Sequence, residues 1–241
     1  MSNPFRALLL LGAALLLGAG NAAANEPLTL YFRAAITIEP DGTLSRLEWE
    51  DADKIPAAVR TRLDERVTAW EFEPGTVDGD PAATDSTLRV TLEAEADGQA
   101  LVLRVLDAGT GARLAPHPVA RYPAKAIRSH EEAALLARLE VAPDGMRTVH
   151  IDEYVGDGRL RDEFTESVEA MFTDVDVTLE LVEGRPVPAS FRMPVTFCIG
   201  QPVCHEDAFP EAGDDTAGQP GEATPMDSVA RLVTDVRGRE I

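Results

Sequence analysis

The sequence predicts an α+β protein made of two small tandem domains, each a short antiparallel sheet with one amphipathic helix packed on it. Three observations predict it. An alternating apolar strand that runs into Pro-Asp-Gly occurs twice, as Ile36-Thr37-Ile38-Glu39-Pro40-Asp41-Gly42 and as Leu139-Glu140-Val141-Ala142-Pro143-Asp144-Gly145, and such self-similarity marks a repeated structural unit. After each copy comes a stretch whose apolar residues recur at helical spacing. Each stretch then leads through a Gly-x-Pro turn into a closing strand.

Residues 1–24 read as a cleavable secretory signal. Arg6 precedes an apolar run from Ala7 to Leu17, and Ala22-Ala23-Ala24 supplies the small residues before a cut that starts the mature chain at Asn25. The run is shorter than the roughly 20 apolar residues a bilayer span needs, and no cysteine follows it for lipoprotein processing. The expectation is a periplasmic protein with no stable membrane span after signal cleavage. A retained segment would instead anchor the chain.

Residues 25–107 form the first expected domain. Asp-Gly accepts the positive φ of a tight hairpin, so the strand ending at Ile38 turns into a second strand from Leu44 to Trp49. Val59, Leu63, Val67 and Trp70 then fall on one helical stripe, with Arg60, Arg62, Asp64, Glu65 and Arg66 on the other faces. Gly79-Asp80-Pro81 turns the chain into the strand Thr87 to Ala94, and Ala96-Asp97-Gly98-Gln99 leads to an extra strand from Ala100 to Leu106. Residues 108–118, entered through the polar Asp107-Ala108-Gly109-Thr110-Gly111 and closed by Pro116-His117-Pro118, read as a linker.

Residues 119–204 repeat the plan. The second hairpin strand runs from Thr148 to Val155, and Leu160, Phe164, Val168 and Met171 make the apolar stripe of the helix. Gly184-Arg185-Pro186 precedes the closing strand Ser190 to Ile199. Pro194 cannot donate a ladder hydrogen bond, which implies an edge strand or a bulge. Residues 205–241 read as an acidic, disordered tail with a short helix from Met226 to Val236.

The formal charge of −20 repels nucleic acid and anionic lipid surfaces while leaving basic or neutral peptide partners open. In an exported chain the two cysteines, Cys198 and Cys204, are expected to form a local disulfide. A metal reading would recruit His205 and Glu206, but the cysteine spacing is wider than zinc sites use. No metal and no cofactor are therefore expected. No Gly-x-Ser-x-Gly elbow, His-Glu-x-x-His helix or phosphate loop is present, and the four histidines lie in different elements. Neither Asp174 and Asp176 nor Asp78, Asp80 and Asp85 have EF-hand spacing. The chain reads as a non-enzyme. The competing class is a secreted hydrolase whose acids are assembled from scattered carboxylates.

Ala120-Arg121-Tyr122-Pro123-Ala124-Lys125-Ala126, the Val141-Ala142-Pro143-Asp144-Gly145 turn, the helix, Gly184-Arg185-Pro186-Val187 and Met193-Pro194-Val195-Thr196-Phe197 together resemble the TonB C-terminal domain over residues 119–199. The first copy resembles it through its Pro-Asp-Gly turn and Ala69-Trp70-Glu71-Phe72-Glu73-Pro74, and lacks the Tyr-Pro opening. The second copy has Met171-Phe172 where the family has Trp-x-Phe. The resemblance implies binding of an envelope protein or peptide segment, such as an outer-membrane transporter, by strand addition to a sheet edge. Phe191, Arg192, Met193, Pro194, Val195, Thr196 and Phe197 are the candidate partner-binding residues. A membrane-anchored energy transducer of that family would also carry a membrane helix and a long Pro-rich spacer, and no such spacer is seen here.

Overall fold

A computed structural model describes residues 27–97, 100–115, 119–173, 175–200, 204–205, 208–209 and 223–241. The expected signal segment, the tip of the 96–99 turn, Pro116-His117-Pro118, Asp174 and most of the acidic stretch before Ala223 lie outside the described residues.

The chain is mixed α+β and rich in strand. β1 (Leu28–Ile38) is the central strand of the first sheet, pairing antiparallel with β2 (Leu44–Trp49) on one side and with a later strand on the other. Its alternation buries Leu30, Phe32, Ala34, Ile36 and Ile38, as a strand with period two must when one face meets a core. Helix α1 (Ala57–Val67) lays Val59, Leu63 and Val67 on that face. Trp49 closes the contact, its indole N–H donating to Asp64 Oδ1 at 2.6 Å. Short strands β3 (Phe72–Glu73), β4 (Thr76–Val77) and β5 (Asp80–Pro81) lead to β6 (Thr84–Asp97), which returns beside β1.

β7 (Ala100–Gly111) then pairs along β6 as far as Thr87↔Gly111, and β8 (Arg113–Ala115) follows at once. The linker expected over 108–118 is thus strand through Gly111 and again from Arg113. The glycines that suggested a flexible connection serve close approach instead. A Cβ on Gly111, whose φ is +145°, would stand 2.9 Å from Pro225 Cγ.

The second half repeats the topology. Helix α2 (Ala124–Ser129) precedes β9 (Ala133–Val141) and β10 (Arg147–Gly156), and α3 (Arg161–Met171) packs Phe164, Val168 and Met171 on the sheet. Then come β11 (Asp176–Thr178), β12 (Leu181–Val182), β13 (Arg185–Pro186) and β14 (Ala189–Phe197). The second sheet has the order β10-β9-β14, matching β2-β1-β6 in the first. Both hairpin turns have the same form: Gly42 at φ +84° and Gly145 at +85°, each preceded by an aspartate whose carboxylate accepts the backbone N–H two residues on, at 3.0 Å. Tyr122 packs edge-on against Phe197 and Phe164, with ring centroids 5.4 and 6.1 Å away.

The halves are not separate in their pairing. β12 adds to the first sheet beside the start of β6, through Leu181↔Asp85 and Val182↔Thr84, and β11 pairs with β8. The C-terminal segment stitches both sheets. β15 (Thr224–Pro225) joins β14, β16 (Arg231–Leu232) joins β3, Ala223 enters the second core, and Ala230 and Val236 enter the first. From Ala223 onward the tail is therefore ordered, and it is extended where a helix over 226–236 was expected. Arg231 and Leu232 pair with β3 as extended backbone, which a helix over the same residues does not allow.

Among the described residues, no helix is long and apolar enough to cross a membrane.

The candidate binding edge and its groove

β14 runs antiparallel to β9 over its whole length with no register shift, from Ala189↔Val141 to Phe197↔Ala133. Side chains alternate across it. Phe191, Met193, Val195 and Phe197 are buried in the second core, so four of the seven candidate residues act as packing. Arg192, Pro194 and Thr196 lie on the other face.

Backbone groups alternate as well, and this places Pro194. Ser190 C=O accepts from Met226 N–H at 2.9 Å, so the even-numbered residues of β14 turn their backbone groups away from β9. The N–H that Pro194 lacks would have pointed to the outer side, and the ladder to β9 loses nothing. Among the described residues the outer side is paired only at Phe191↔Pro225 and Arg192↔Thr224.

The open face beside this edge is a groove of about 610 Å³ lined in part by Arg138, Glu140, Met146, Ser190, Arg192 and Met226. Its charges are unevenly satisfied. Arg138 holds Asp152 through Nε at 3.1 Å and also binds Glu140. The hydrogen bond to Asp152 is the main reason its pKa lies above the ordinary arginine value. Glu140 also faces His150 at 3.5 Å, and Asp227 accepts from the Ser190 hydroxyl. Arg192 has a buried Nε with no acceptor among the described residues. Its place in the strand is legible from the sequence; its missing partner is not.

The far end of β14 is closed by the Cys198–Cys204 disulfide, as the sequence suggested. Ile199 N–H donates to Glu132 Oε1 at 2.7 Å beside it. Donor atoms of Glu132, Cys204 and His205 lie within 4.8 Å of one another, but the Cys204 sulfur is committed to the disulfide.

A second cluster escaped sequence reasoning. Glu180 is the one buried acidic side chain among the described residues, 3% exposed. Its Oε1 accepts from the hydroxyls of Ser86 at 2.7 Å and Ser228 at 2.9 Å, and its Oε2 from Val229 N–H at 2.9 Å. It joins the first sheet, the β12 hairpin and the tail. Both oxygens are engaged by donors, which leaves it a structural clasp and not an acid waiting for a substrate. No hint of it stands in the sequence, since Glu180 follows Asp176 and Thr178 on the polar phase of an alternating strand.

Comparison with known protein families, with curated proteins and with solved structures finds no match.

Proposed function

We propose that this chain is a periplasmic protein-interaction module of two tandem TonB C-terminal-like units, which binds a peptide segment or envelope protein along the outer edge of β14. Outer-membrane transporters are the partner class the resemblance suggests. One observation carries the reading. The chain's own tail adds a two-residue strand to that edge, at Phe191↔Pro225 and Arg192↔Thr224, so the outward backbone groups of β14 already take up an added strand. Strand addition draws its affinity from such groups. The repeated order of hairpin, helix and returning strand supports the tandem description.

The test uses a photo-crosslinking residue at position 146, exposed at the groove, in intact cell envelopes, with and without Thr196→Pro. Thr196 N–H points outward, so proline there removes a bond available to a partner without touching the β9 ladder. The expected result is an adduct of reproducible mass that Thr196→Pro abolishes. No adduct above background, or one indifferent to the proline, refutes the reading.

A further inference from the structure

The cross-strand neighbours of Arg192 define what kind of segment its edge prefers. Across the open face of the second sheet, His150 on β10 stands opposite Arg138, Arg138 opposite Arg192, and Arg192 opposite Thr224. Directly opposed side chains on one face lie close enough to interact, and like charges there repel. The row thus sets two arginines side by side, with His150 beyond one and a neutral residue beyond the other. Arg138 is balanced by Asp152 and Glu140, whereas Arg192 Nε is buried with no acceptor among the described residues. A buried donor left unsatisfied is a standing cost, and it falls on the position where β15 docks.

We propose that the β14 edge selects an extended partner segment bearing a carboxylate directly opposite Arg192, in the place Thr224 occupies, with neutral or basic residues around it. This rests on the strand-addition reading and names the partner's chemistry. The carboxylate supplies the acceptor that Arg192 lacks and matches the fork of a guanidinium. Neutral or basic flanks follow from the chain's charge of −20, which repels a segment acidic throughout. Met146, 70% exposed at the groove, is an adaptable wall for a flanking residue. β15 is then a weak native occupant, two residues long and without the preferred side chain, and a better-matched strand displaces it.

The carboxylate preference is tested inside the full chain first. Hydrogen exchange at Met226 N–H, which bonds to Ser190 C=O, reads the docking of β15. Thr224→Glu is expected to raise protection of that amide at least about threefold, the scale of a partly exposed ion pair. Thr224→Gln should leave it within about twofold, and Thr224→Glu combined with Arg192→Gln should lose the gain. Equal behaviour of Glu and Gln at 224, or a gain that survives Arg192→Gln, overturns the proposal. A second arm titrates two labelled peptides, acetyl-Lys-Val-Glu-Val-Lys-amide and its Gln analogue, into the native protein. Tighter binding of the Glu peptide, lost in Arg192→Gln, supports the selection. Equal binding of both overturns it and leaves strand addition standing. Binding of neither counts against strand addition, while the exchange cycle still decides the carboxylate.

Discussion

Replacing Glu180 with alanine should release the tail and weaken the whole fold. The substitution removes the acceptor of Val229 N–H and of the Ser86 hydroxyl, while Ser228 can still donate to Ala230 C=O at 2.6 Å. Ala230 N–H loses a longer bond to Oε1 as well, at 3.4 Å, and the two donors with short bonds cost about 1–3 kcal/mol each when left without partners. Ser86 keeps only its acceptor role, from Gly111 N–H at 3.1 Å. A net loss of about 3 kcal/mol results, or a fall in Tm of about 6–12 °C for a chain of this size. Glu180→Gln, which keeps one acceptor oxygen, should cost about half as much. Calorimetry gives the global value, and hydrogen exchange at Val229 N–H shows whether the tail opens first. A Tm within about 2 °C of the parent, or an alanine variant with full protection at Val229, would refute the assignment of Glu180 as the clasp.

Other expectations follow from single contacts. Gly111→Ala should expel Pro225 from its seat and abolish protection of Met226 N–H, because the new methyl meets Pro225 Cγ at 2.9 Å and φ of +145° strains any side chain; exchange rates unchanged from the parent would contradict this. Opening the Cys198–Cys204 bridge, which spans six residues of sequence, should lower stability by about 2 kcal/mol on the chain-entropy estimate, measured by denaturant unfolding with and without a dithiol reductant. The carboxylates of Asp41, Asp157 and Glu163 have pKa values below their ordinary ones, held there chiefly by the Thr43 hydroxyl, the Arg159 N–H and the Lys125 ammonium respectively. A depressed folded pKa gives stability that is present above the unfolded value and is lost as pH falls through the folded one. NMR titration should therefore place Asp41 and Asp157 below 3.8 and Glu163 below 4.5, with the Lys125–Glu163 tie between α2 and α3 failing on that acid side.

What could be read from the residues was local. Gly42 and Gly145 take the positive φ that their Asp-Gly turns require, and the stripes Val59-Leu63-Val67 and Phe164-Val168-Met171 face the cores as their spacing implies. Pro194 on an edge was legible because a missing N–H is a property of one residue. What failed was long-range. Asp107 to Gly111 has linker composition, and only its pairing with Thr87–Thr91 and the passage of Pro225 over Gly111 show why glycine stands in a strand. The tail looked disordered because its acids and glycines dominate the count, although Ala230 and Val236 fill a core built more than a hundred residues earlier in the sequence. The exchange of β12 into the first sheet rests on two residue pairs that no local pattern announces.

The stitching of both cores by the C-terminal segment bears on the order in which the chain can mature. Synthesis runs from the N-terminus, so Ala223, Ala230 and Val236 are made after the strands they cover, and they complete cores begun at Leu30 and Ala112. Neither half can reach its final packing while the other is still being produced. The pairing of Phe72 with Leu232 also closes a very long loop, which slows folding relative to a chain of local contacts. A truncation at residue 222 would thus remove packing from both cores. It would leave two unfinished cores and an uncovered stretch of β14, a species prone to pair with its own copies.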